Sequence, residues 1–180
     1  MLLALFALFF GGMLVAGLLR LSGWRPEGNK SNGELLHPYP DLRGHSPTLA
    51  DGSRYGWKDS PRTWRIVAMP RDCDGARAEA CARLLADLDK VWRLMGRNAD
   101  RVHVLWAGAP PAGMATDGLR ELRLVRVDDA LRAAMPQAAD ATAGDTVWLV
   151  DPNGFVVLRY PPGFELGGLR TDLSRLLRIN

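Results

Sequence analysis

The first nineteen residues, MLLALFALFFGGMLVAGLL, contain no charged side chain. As a helix this stretch rises roughly 28 Å at 1.5 Å per residue, close to the ~30 Å hydrocarbon core of a bilayer. It has two readings, a membrane span or a signal peptide. A signal peptide needs a basic n-region, a shorter apolar run and a small-x-small cleavage site. Here only Met1 precedes the apolar run, and the following LLRLSGWRP offers no such site. Residues 1–20 are therefore expected to be an uncleaved transmembrane anchor in contact with the lipid bilayer. Gly11, Gly12 and Gly17 agree with this, because membrane helices tolerate glycine. Arg20, Arg25 and Lys30 follow the span and nothing basic precedes it. Taken alone, the positive-inside rule puts the carboxyl side in the cytoplasm, unless a basic flank lies upstream of Met1.

The next stretch, GWRPEGNKSNGELLHPYPDLRGHSP (23–47), is rich in Gly, Pro, Asn and Ser and lacks apolar periodicity. Pro38, Pro40 and Pro47 rule out a helix there. Residues 21–47 read as a juxtamembrane linker, with Trp24 placed to anchor at the headgroup level. A folded domain is expected over 48–180.

Within that domain the elements follow in a clear order. TLADGSRYGW (48–57) reads as a short hairpin about Asp51-Gly52. WRIVAM (64–69) is an apolar run suited to a strand buried on both faces. Residues 76–95 form an amphipathic helix whose stripe is Cys81, Leu84, Leu85, Leu88, Val91 or Trp92, and Met95. RVHVLWA (101–107) is a second buried strand, closing a strand–helix–strand unit. LRLVRV (122–127) is a weaker strand, and DDALRAAM a short helix headed by Asp128-Asp129 as cap and dipole partner. TVWLV-DPNG-FVVLRY is the strongest hairpin signal in the chain. A last helix carries Leu166, Leu169, Leu173, Leu176 and Leu177 on one face. The order, βαβ, a connection, then ββα, predicts an α/β domain: a thioredoxin-like mixed sheet flanked by helices.

The charge pattern excludes one class of partner. The net charge is only +3, and the arginines are interspersed with carboxylates. Nucleic-acid binding needs a basic stripe with interleaved aromatics, which is absent, so no nucleic-acid partner is expected. No nucleophile elbow, zinc-protease motif, P-loop or glycine-rich dinucleotide turn is present.

Four pieces together resemble a known family: TLADG before the first core strand, a cysteine just after WRIVAM, VWLVDPNGFVVLRY near the end, and GWRPEGNKSNGELLHP after the membrane helix. The chain resembles the thioredoxin-like Sco/SenC proteins, membrane-anchored assembly factors for the copper centre of cytochrome c oxidase. The juxtamembrane piece is similar to that of a divergent branch associated with proteobacterial cytochrome oxidase operons. The resemblance implies a single-pass protein of the bacterial inner membrane with a periplasmic C-terminal domain. It also implies oxidase subunits or other assembly factors as partners.

The departures from that family bear on chemistry. Sco proteins bind copper with C-x-x-x-C and a distant histidine before the last hairpin. Here seven residues separate Cys73 from Cys81, and Ala143 or Gly144 stands where the histidine would be. Copper(I) favours thiolates, so Cys73 and Cys81 are weak copper candidates without a third ligand, and no cofactor is expected. His37 and His45 lie in the linker; His103, between two valines, reads as a packed core residue. A thiol oxidoreductase would place C-x-x-C at a helix N-terminus, where the dipole lowers a thiol pKa. Asp72 and Asp74 flank Cys73 and oppose that effect, and Arg71 and Arg77 partly offset them. In one continuous helix the two cysteines would sit about 12 Å apart, too far to bond; a turn at Asp74-Gly75 would let Cys73 fold back. Three states stay open: a structural disulfide, two unpaired thiols, or a redox or metal pair. The reading that follows is a Sco-like accessory protein of oxidase assembly that acts by binding rather than catalysis. The alternatives are a membrane-tethered thiol–disulfide oxidoreductase and a copper chaperone using Cys73 and Cys81.

Overall fold

The computed structural model of the chain describes residues 2–22, 31–58, 61–113, 116, 118–136 and 145–179. The chain divides into two compact units, Met1–Lys30 and Ser31–Asn180. The first holds α1 (Leu2–Leu21), a helix long and apolar enough to cross a membrane, with its described side chains exposed along its whole length. Trp24, the expected interfacial anchor, lies outside the described residues, as do Arg25 and Lys30.

The second unit begins earlier than the expected boundary at residue 48. Its strands are β1 (Glu34–Leu35), β2 (Trp64–Ala68), β3 (Val102–Ala107), β4 (Leu122–Val125), β5 (Val147–Val150) and β6 (Val156–Tyr160). They form one mixed sheet in the order β1-β6-β5-β2-β3-β4. β2, β3 and β4 run parallel; β5 is antiparallel to β2, and β6 and β1 continue antiparallel. Among the described residues three α-helices complete the unit: α2 (Ala78–Arg93), α3 (Asp129–Ala134) and α4 (Leu166–Ile179). This is the thioredoxin-like mixed sheet flanked by helices that the element order predicts.

Strand alternation splits the core between two faces. Trp64, Ile66 and Ala68 of β2, with Val104 and Trp106 of β3, pack under α2 and α4. Val67 and Met69, with Leu105 and Ala107, pack under α3 and the segment Leu42–Trp57. Cys81, Leu85, Leu88 and Val91 form the buried stripe of α2. Leu84 and Trp92 flank the stripe half-exposed, and the Trp92 indole donates to the Ala99 carbonyl at 2.7 Å. The other described tryptophans, 57, 64, 106 and 148, are buried.

Two expectations need correction. The hairpin at 48–57 is a tight turn closed by one bridge, Thr48 with Arg54, rather than a pair of strands. Leu49 N–H donates to the Ser53 carbonyl at 2.8 Å across that turn, and the segment also bonds to the β4 strand: Ala50 N–H donates to the Leu124 carbonyl at 2.9 Å, and Arg126 N–H to the Thr48 carbonyl at 2.8 Å. The segment expected as a linker over 21–47 is likewise part of the folded unit from Ser31 onward. β1 pairs with β6, and Leu42 is fully buried in the second core face.

Candidate functional site

The loop after β2 carries Cys73 and leads to Cys81. Pro70 ends the strand, Asp72 caps its own turn by accepting the Asp74 N–H at 3.0 Å, and Gly75 takes φ +55°. That left-handed value, open to glycine without a Cβ penalty, is the turn that lets the chain reverse before the helix. One 3₁₀ turn, Gly75–Arg77, leads into α2. Cys81 then lies in the first turn of α2, its Cα 5.6 Å from that of Cys73, and the two form a disulfide. Of the three states open from the sequence, the bridged one is the state of the folded chain.

The bridge is asymmetric toward solvent. Cys81 is fully buried in the core under α2, whereas Cys73 lines a cleft of about 250 Å³. The cleft lies beyond the carboxyl ends of β2, β3 and β4, where parallel sheets collect ligands. Met69, Pro70 and Cys73 line it after β2, Gly108 and Ala109 after β3, and Val127 and Arg132 after β4. Arg71, Asp72 and Asp74 line it too, so its surface carries both signs of charge. Asp128 accepts the Leu131 N–H at 2.7 Å and is the α3 cap expected from the sequence.

Arg77 braces the cysteine loop. Its Nε donates to the Asp72 carbonyl at 3.2 Å, and its Nη2 pairs with Asp145 ahead of β5. The guanidinium that the sequence offers as a thiolate partner is thus held by a carboxylate. The loop is fixed to α2 by a covalent bond and to the approach of β5 by an ion pair.

In the bridged state the cysteines offer copper no thiolate. Both sulfurs share one bond, so neither is a free thiolate. Among the described residues no group of three or more His, Cys, Asp or Glu side chains is placed to hold a metal ion. Ala143 and Gly144 lie outside the described residues, and neither side chain could ligate. His45 sits with its Nε2 3.2 Å from Asp128 Oδ2.

His103 belongs to a separate polar cluster that sequence reading missed. Arg65, inside the apolar run WRIVAM, is fully buried. Its Nη1 donates to the carbonyls of Thr63 (2.7 Å) and Asp151 (3.2 Å), and its Nε to the Tyr55 hydroxyl at 2.9 Å. The same hydroxyl lies 2.7 Å from His103 Nδ1, and His103 Nε2 lies 3.3 Å from Glu121 Oε2. A planar, weakly hydrated guanidinium suits such burial better than an ammonium would. The cluster sits toward the amino end of β2, away from the cleft. The only signal for it in the sequence is a charge within a run otherwise suited to a two-sided core.

Comparison with known proteins agrees with this architecture. Residues 64–180 match the model of a family described as a transmembrane-like, thioredoxin-like, C-terminal domain. No curated protein matches the chain in sequence. Among solved structures, BsSco, described as a member of the Sco family of cytochrome c oxidase assembly proteins, superposes with a TM-score of 0.55 at 10% identity; the match covers 82% of this chain and 98% of that one. ScoI of Arabidopsis thaliana, solved with copper bound, gives 0.53 at 13% identity over 83% of this chain and 100% of that one. A peroxiredoxin-like protein from Aquifex aeolicus gives 0.50 at 10% identity, covering 80% and 86%. The Sco resemblance drawn from the sequence holds at the level of fold.

Proposed function

We propose, from the premise that the chain belongs to the family of transmembrane-like, thioredoxin-like C-terminal domains, that it is a membrane-anchored, Sco-like accessory protein of respiratory cytochrome oxidase assembly. It acts by binding a protein, an oxidase subunit or another assembly factor, in the cleft beside Cys73. The observation that carries this reading is the cleft itself. It occupies the ligand-binding end of the parallel strands, yet its cysteines are bonded to each other, and among the described residues no group of three or more His, Cys, Asp or Glu side chains is placed to hold a metal ion. What remains is a shaped surface with mixed charge and no reactive group on display, which suits recognition.

In this reading residues 1–20 anchor the chain in the bacterial inner membrane and the domain faces the periplasm. The disulfide supports that side, because such bonds persist in oxidising compartments and are rare in the cytosol. The basic residues after the helix favour the opposite side by the charge rule. A carboxy-terminal reporter active only in the cytoplasm would refute the orientation.

The binding role is tested by filling the cleft. Ala109→Trp, in a strain lacking the native copy, should lower assembled oxidase, read from its haem spectrum, while the domain keeps its melting temperature. The Cys73→Ser, Cys81→Ser double variant should still support assembly wherever it folds. Normal assembly with the cleft filled would remove the reading. One observation favours a second: Cys73 rather than Cys81 lines the cleft, as the attacked sulfur of a thiol–disulfide oxidoreductase would. Loss of assembly in a folded Cys73→Ser single variant would promote that alternative.

A further inference from the structure

The segment that joins the domain to the apolar helix is fastened at two points of different character. From Pro40 onward it is tied to the core through Leu42. Leu42 is fully buried and donates its N–H to the Gly154 carbonyl at 2.9 Å, and the Pro40 carbonyl accepts the Val156 N–H at 2.9 Å. Before Pro40, over residues 31–39, only Gly33 is buried. This stretch is held mainly by polar contacts, three of them to one side chain of α4, with Leu36 packed against the second core face. Asp172 is 3% exposed, and its Oδ2 accepts the N–H groups of Asn32 (2.6 Å) and Gly33 (3.0 Å) and the Tyr160 hydroxyl (2.9 Å). Its Oδ1 accepts the Asn32 side-chain amide at 2.9 Å. The seat is shaped for this purpose. A Cβ on Gly33 would come within 2.7 Å of the Tyr160 ring, and one on Gly168 within 2.8 Å of Asn32.

We propose that residues 31–39 are a releasable strap, pinned by the buried carboxylate of Asp172, that opens while the sheet core stays closed. A segment that adds little apolar burial belongs to the part of a fold that opens locally first. Leu36 packs half-buried against the second core face and donates its N–H to the Val157 carbonyl at 3.1 Å. β1 adds only two paired residues, both exposed, and Glu34 accepts from Arg159 at 2.7 Å in solvent.

The test uses the full chain in detergent, with Asp172→Asn as the perturbation. Asparagine keeps the shape but turns an amide toward donors. Amide hydrogen exchange is read by mass spectrometry. The expected result is at least tenfold faster exchange over residues 32–36 with unchanged exchange in β2 and β3. Unchanged exchange at 32–36, or exchange rising across the whole sheet, would each overturn the proposal. If Asp172→Asn does not fold, Gly33→Val dislodges the strap from its own side, and the same readings apply.

Discussion

Reduction of the Cys73–Cys81 bond should lower the stability of the domain by an amount the chain itself sets. The bonded residues are eight apart in sequence. In the chain-entropy treatment a closed loop of that size removes about 8 cal/mol/K from the unfolded ensemble, or about 2.5 kcal/mol at 298 K. The folded dithiol adds little further cost. Cys81 would sit in an apolar surround as a small hydrophobe, with the Asp72 carbonyl 3.5 Å from its sulfur as acceptor, and Arg77 would still hold the loop to Asp145. For a domain of this size each kcal/mol moves the melting temperature by about 2–4 °C, so a fall of about 5–10 °C is expected. The assay is scanning calorimetry of the full chain in detergent, with complete reduction verified by mass-tagging of the thiols. Verification matters because Cys81 is fully buried and Cys73 is only 7% exposed, so a reductant reaches the bond slowly. A verified dithiol melting within a degree of the oxidised protein would refute the structural role and hand the pair to redox chemistry.

Three further outcomes are expected. Leu88→Ala should cost about 2–5 kcal/mol in urea unfolding, because Leu88 is fully buried in the α2 stripe; a surface-like change of half a kilocalorie would mean the helix faces elsewhere. Burial and the hydrogen bond to Asp172 push the Tyr160 phenol well above its ordinary 10.0. The unfolded chain therefore loses this proton first, and stability should fall as pH rises past about 10, with a slope contribution of at most about 1.4 kcal/mol per pH unit. Tyr160→Phe should remove that contribution, as read from melts between pH 9 and 11. Reduced protein titrated with copper(I) should retain little metal against a chelating competitor; tight, stoichiometric retention abolished by Cys73→Ser would revive the copper chaperone.

The parts of the fold that were legible in sequence are those that announce themselves by apolar period. α2 and α4 follow from leucines three and four apart. β2, β3 and the β5–β6 hairpin follow from short runs of Val, Leu, Ile and Trp, with DPNG as the turn. β1 was not legible, because two exposed residues, Glu34 and Leu35, have no period to read. The 48–57 segment turns at Asp51-Gly52 as its local chemistry predicts, but residues 48–50 also bond to β4, a pairing that no local pattern encodes.

The site follows the same division. The disulfide was legible only as a condition: if Asp74-Gly75 turned the chain, the cysteines could meet, and Gly75 does turn it. The cleft was not legible, since its walls come from three strand ends and α3. Two polar arrangements escaped entirely, the carbonyls around Arg65 and the pin on Asp172. Both are tertiary hydrogen-bond sets whose partners lie far apart in sequence; Asn32 and Asp172 are 140 residues apart. A polar segment such as SNGEL reads as solvated linker because composition reports the cost of burying polar groups and not the bonds that offset it. Asn-Gly in a linker before a small globular domain is thus ambiguous on its own. What decides between linker and docked strap is whether a carboxylate on the last helix accepts the segment's N–H groups where glycines permit close approach, as Asp172 does for Asn32 and Gly33 beside Gly168.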